Sequence, residues 1–159
     1  MVNEAITFLV AALPVSELRG AIPLAILKFG FSPTKAIFIS FLGNILPVFP
    51  LLIGLEKISE YLSHKFYWFN RFFNWLFSRM RQKHEGHFHY WGDLALLIFV
   101  AIPLPLTGAY SGAVAAFVFG IPKKHAFWSI ILGVLAAGII VTFITVSGVN
   151  LFEFINSNL

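Results

Sequence analysis

Glu17 and Arg19 stand one residue apart in Pro14-Val-Ser-Glu-Leu-Arg-Gly-Ala-Ile-Pro23, between two apolar segments that are each too short to cross a bilayer. A charge at bilayer depth costs at least about 2.5–3.5 kcal/mol, so such residues face a partner or a wet cavity and mark a pathway. The guanidinium is a bidentate donor suited to phosphate or carboxylate. The carboxylate can neutralise it or carry a coupling proton, and Ser16 adds a hydroxyl beside them. A second interrupted stretch, Pro103-Leu-Pro-Leu-Thr-Gly-Ala-Tyr-Ser-Gly112, offers Thr107, Tyr110 and Ser111, which hydrogen-bond without charge. Asn44 places an amide inside an otherwise apolar run. These seven side chains are the candidates for binding substrate or ion. Pro14, Gly20, Pro23, Pro103, Pro105 and Gly108 shape the two interruptions.

Enzymatic chemistry finds little here. The chain has no cysteine, no paired aspartates and no Ser/His dyad at helical spacing. His84-Glu-Gly-His-Phe-His89 looks metal-like, but Gly86 breaks the helix and the spacing is not that of a His-Glu-x-x-His zinc hydrolase. The stretch reads as a polar loop, and no catalytic residue, metal or cofactor is expected.

The composition says what must position these groups. Of 159 residues, 58% are hydrophobic and 11% charged, with a mean hydropathy of +0.85. A soluble domain carries about 25% charged residues, so the chain reads as an integral membrane protein forming one membrane domain over 1–159. The net charge of +4 gives no case for nucleic acid, because the basic residues flank apolar spans. Residues 5–29 suit a re-entrant helical hairpin: each half rises about 15 Å, half of the roughly 30 Å hydrocarbon core. Residues 34–55 make a full span. Residues 56–92 hold a basic, aromatic-rich amphipathic helix, 57–83, of the kind that lies in the interface plane, followed by a loop. The pattern then returns, with a hairpin over 94–120, a span over 126–147 and a polar C-terminal tail over 148–159.

A shift of 89 residues superposes Pro14 on Pro103, Pro33 on Pro122, Lys35 on Lys124 and Ser40 on Ser129. Each repeat, 1–55 and 93–147, contains one net crossing, because a hairpin returns to its own side. If 56–92 stays on one face, the second repeat enters from the opposite side. Eight Lys and Arg (Lys57, Lys65, Arg71, Arg79, Arg81, Lys83, Lys123, Lys124) then share one face, against Lys28 and Lys35 on the other. That asymmetry puts helix 57–83 in the cytoplasm and both termini outside. The expected fold is therefore all-α: two inverted repeats, each a re-entrant hairpin followed by a transmembrane helix, joined by a cytoplasmic amphipathic helix.

Broken helices meeting near the midplane are the architecture of secondary transporters, with substrate at the breaks. The expected function is a proton- or ion-coupled transporter or lipid flippase for an amphipathic or anionic substrate, surrounded by membrane lipids. The alternative is a non-transporting scaffold in which Glu17–Arg19 is a structural ion pair. So few spans suit a homodimer, with Gly133–Gly138 packing closely against a neighbouring helix.

The strings SELRGAIPLAI and IPLPLTGAYSGAVAAFVFGI resemble the small multidrug export protein family of bacterial and archaeal membranes, over nearly the whole chain. The resemblance implies a multi-pass plasma-membrane protein of a bacterium or archaeon and an efflux role. More distantly, the hairpin-plus-helix pattern looks like the DedA superfamily, whose opposed re-entrant hairpins are linked to flipping of lipid carriers such as undecaprenyl phosphate and to proton dependence. DedA proteins carry arginines in the second hairpin region, and residues 103–120 here have none.

Overall fold

The computed structural model describes residues 1–65, 87–104 and 107–157, and among these the chain forms seven α-helices and no strand. The apolar run after Met1 is α1, Val2–Ala12, with Glu4 in its first turn, where the helix dipole favours an acid. It stops ahead of Pro14, which has no N–H to extend the ladder and biases Leu13 to the extended conformation it adopts (φ −82°, ψ 138°). Helix α2, Glu17–Pro23, follows. Pro23 removes a further donor, and the chain widens into a π-turn over Leu24–Lys28. Gly30 then takes a left-handed φ of 64°, and Pro33 opens α3, Pro33–Ile45, from its first turn. Pro47 separates α3 from α4, Val48–Lys65.

Beyond the undescribed stretch come α5, His87–Ala101, and a break containing Pro103. Helix α6, Ala109–Phe119, ends on left-handed Gly120 (φ 67°). There the Gly120 N–H bonds the Phe117 carbonyl at 3.2 Å and the Ile121 N–H reaches Ala116 at 2.9 Å, which satisfies the last carbonyls of the helix. Helix α7 runs from Lys123 to Ser157. Pro33–Leu55 and Lys123–Ser157 are long and apolar enough to cross a membrane, while Val2–Ala12, Trp91–Ala101 and Ala109–Phe119 are apolar but too short. Large apolar side chains such as Leu9, Phe38, Phe49, Phe119, Trp128 and Phe143 point outward, each more than half exposed. Such a surface suits a lipid environment.

The two halves pack in the same way. In the first, α1 and α3 approach so closely at Gly43 that a Cβ there would lie 2.3 Å from the Phe8 carbonyl oxygen and 3.0 Å from Ala11. In the second, a Cβ at Gly133 would lie 2.8 Å from the Leu97 carbonyl oxygen and 2.7 Å from Val100. Phe8 and Ala11 stand 89 residues before Leu97 and Val100, and the glycines 90 apart. The side-chain pairs agree: Glu4 forms an ion pair with Lys35, and Asp93 a 2.7 Å hydrogen bond with His125. The buried faces agree as well, since Ala36, Ser40, Gly43 and Asn44 on α3 correspond to Ala126, Ile130, Gly133 and Val134 on α7. The offset is 89 before the breaks and 90 after them. Ser40 therefore pairs structurally with Ile130, not with Ser129 as the constant shift expected.

Several expected boundaries move. Residues 57–65 of the amphipathic helix continue α4 directly, and 66–83 lie outside the described residues, as do 84–86. Residues 87–89, expected in a loop, form the first turn of α5. The tail remains helical to Ser157. Gly133 and Gly138 face the chain's own core, Gly133 against α5 and Gly138 about 3.7–3.8 Å from Leu18, Ile22 and Ile37. The two glycines are thus already packed against helices of their own chain.

Candidate functional site

The first break seats its charges on the second. Glu17 has a left-handed φ of 47° although it is not glycine, a conformation that costs of order 1–3 kcal/mol and survives only where its surroundings demand it. Its side chain is 7% exposed. The carboxylate faces the backbone N–H groups of Ala109 and Tyr110 at the start of α6, the latter 3.5 Å from Oε1. These are the unpaired donors and positive dipole end of that helix. Gly108 makes room, because a Cβ there would overlap the Glu17 carboxylate. Gly108 is extended (φ 177°), so the requirement is for space and not for an unusual backbone.

Arg19 serves the other side of the same break. Its Nη1 donates to the Leu104 carbonyl, and Nη2 donates to the Ile102 carbonyl at 3.5 Å and to Thr107 Oγ1 at 3.1 Å. These acceptors follow the C-terminal, negative end of α5. Thr107 Oγ1 also accepts from the Leu104 N–H at 3.2 Å and gives its own proton to the Ile102 carbonyl at 2.7 Å. The acid thus meets a helix N-terminus and the base meets the end of a helix, both belonging to the opposite half. Among the described residues no ion pair joins Glu17 to Arg19. The pairing expected of a structural scaffold is replaced by two cross-half caps.

The second break answers in kind. The Tyr110 hydroxyl donates to the Ala12 carbonyl at the end of α1, beside the Ser16 hydroxyl, which donates to the Val10 carbonyl at 2.6 Å. Ser111 Oγ accepts from the Gly108 N–H at 2.8 Å and so holds the turn that opens α6. Ser16, Glu17, Arg19, Thr107, Tyr110 and Ser111 are therefore one contiguous constellation. Of the residues expected to shape the tips, Pro14 and Pro103 lie in the breaks, Gly108 caps α6, and Gly20 packs against Ser16. Pro23 sits inside a helix instead of a turn, and Pro105 lies outside the described residues.

Asn44 stands apart. It is fully buried on α3, with neither amide atom bonded to protein, and Ser40, one turn earlier, is likewise buried and unbonded. Sequence reasoning missed Ser40, although its four-residue spacing from Asn44 on a helix was the available signal. The backbone acceptors Ile102, Leu104 and Ala12 were missed because carbonyl groups carry no residue signature. Among the described residues no group of three or more metal-ligating acids and histidines occurs.

No curated protein and no solved structure matches the chain. The sequence profile of the small multi-drug export protein family matches residues 17–140, well over half of the chain, starting at the buried Glu17. The matched span holds the second break, the long apolar helix Pro33–Leu55, the first half of Lys123–Ser157 and every residue of the constellation except Ser16. This chain of broken and membrane-length helices belongs to the small multi-drug export protein family.

Proposed function

We propose that the protein is a secondary membrane transporter whose two breaks form one gate, and that the present arrangement is the gate closed. The observation that carries this reading is the cross-half capping of α5 and α6 by Arg19 and Glu17. An anionic or amphipathic substrate, a drug-like compound or a phosphorylated lipid, would use the same donors: the fork of Arg19 and the N–H groups opening α6. Substrate and Glu17 then compete for one helix end. Protonation of Glu17 would weaken its hold there and link opening to a proton gradient. In this reading α1–α2 and α5–α6 are re-entrant hairpins in inverted repeats. In support, the C-terminal ends of α1 and α5 meet at the breaks, while the Glu4–Lys35 and Asp93–His125 pairs each lie about two helical turns before those ends.

Proteoliposomes test the function. An NBD-labelled anionic phospholipid, read by dithionite quenching, and carboxyfluorescein, read by uptake, are followed with and without an imposed proton gradient. Glu17→Gln and Arg19→Gln should each slow movement of the active probe at least tenfold at unchanged folded yield. Movement that ignores the gradient and both substitutions overturns the reading. The scaffold alternative is favoured instead if neither probe moves and the substitutions only lower folded yield. Orientation is tested separately, since the chain has no native cysteine. A cysteine at Lys123 should react with an impermeant maleimide only from the cytoplasm and one at Lys28 only from outside. Labelling of both from one side refutes inversion.

A further inference from the structure

We propose that Ser40 and Asn44 form the binding site of a dehydrated monovalent cation of the sodium class. The proposal rests on the transport reading only in giving this ion a coupling role beside the proton; the site itself stands on the packing of α3. Ser40 and Asn44 are both 0% exposed, and neither the hydroxyl nor the amide oxygen and nitrogen has a protein partner. A buried polar group left unpaired costs free energy that an apolar residue of similar size would avoid.

The second half shows that packing does not require these groups. The equivalent positions on α7 are Ile130 and Val134, 0% and 1% exposed, in a seam with the same close glycine approach and an acid-to-base side-chain contact at the equivalent place. One half fills the seam with aliphatic side chains, and the other keeps a hydroxyl and an amide there.

The donor set indicates what would bind. Ser40 Oγ and Asn44 Oδ1 are neutral oxygens one helical turn apart, on the same face of α3. Hard oxygen ligands select alkali and alkaline-earth ions over transition metals, and divalent ions are held by carboxylates, which this pair lacks. Pro47 and Pro50 add to the set. Having no N–H, they deny the carbonyls of Gly43 and Leu46, four residues earlier, their helical donors. In the proposed site the Gly43 carbonyl, next to Asn44 in the chain, is the third oxygen ligand, while the Asn44 amide nitrogen has no acceptor within the protein. Backbone carbonyls at a helix interruption beside a neutral side-chain oxygen are a recurring way of holding a coupling cation in a membrane.

The test is the thermal midpoint of the purified full chain in detergent, in sodium, potassium or choline chloride at one ionic strength. Sodium should raise Tm in proportion to the logarithm of its concentration once well above Kd, by about 3–5 °C for each tenfold increase, with potassium weaker and choline inert. Asn44→Val, which installs the second half's residue, should abolish the sodium response while leaving Tm in choline equal or higher. Should Asn44→Val not fold, Ser40→Ala serves, and direct 22Na+ binding should fall from about one ion per chain to background. Identical midpoints in the three salts overturn the proposal, as does a sodium response that persists in the variants. A sodium response in a protein that moves neither probe keeps this site and removes the transport reading. Probe movement with no sodium response does the reverse.

Discussion

Replacing Gly108 by Ala adds a single methyl group, yet the structure assigns it a specific victim. The new Cβ falls on the Glu17 carboxylate, which must leave the N–H groups of Ala109 and Tyr110. A hydrogen bond to a charged group contributes about 1.5–3 kcal/mol, and the 3.5 Å Tyr110 contact is a long one. The pair together should therefore be worth about 2–3 kcal/mol. At about 2–4 °C per kcal/mol for a chain of this size, Tm should drop by about 5–10 °C, read by intrinsic tryptophan fluorescence in detergent. The decisive arm is a double-mutant cycle. With Glu17→Ala already in place the carboxylate is gone, and Gly108→Ala should then cost less than about 0.5 kcal/mol, within the range of an innocuous substitution. If the two losses simply add, Gly108 is not reserved for the carboxylate, and the interlock is misassigned.

Two further outcomes follow from the same geometry. Gly43→Val and Gly133→Val each drive a side chain into a backbone carbonyl of the neighbouring helix. Each should cost at least about 1–3 kcal/mol and lower the monodisperse yield, whereas Gly54→Val, with open space around it, should behave as wild type in gel filtration. Arg19→Lys keeps the charge but loses the fork that serves Leu104, Ile102 and Thr107 together. It should lose about 1–2 kcal/mol of stability in the same fluorescence assay, and equality with wild type would show that those contacts contribute nothing.

The breaks were legible in sequence because proline leaves a mark that any residue string displays: α1 and α5 end at Ala12 and Ala101, two residues before Pro14 and Pro103. The importance of Glu17 and Arg19 was legible for a thermodynamic reason, the cost of charge in an apolar chain. Their partners were not, since both found backbone groups of the other half, and every residue presents a backbone. The shift from 89 to 90 was hidden for a different reason. Chance identities such as Ser40 with Ser129 outvote structural equivalence when one residue is gained within a break, and only glycine contacts, side-chain pairs and buried faces restore the register. The continuation of α4 through 57–65 and of α7 through 148–157 was not foreseen because a polar stretch can extend a helix whose hydrogen bonds are already nucleated.

The unlike tips also bear on how such a chain can arise. A dimer of identical half-length chains, related by a two-fold axis between the two breaks, would set Glu17 facing Glu17 and leave no uncharged helix start to receive either. One tip inserts its charges where the other carries none and a glycine leaves room for them. With both halves in one chain, the charged tip and the tip that receives it differ in sequence, and neither meets its own kind.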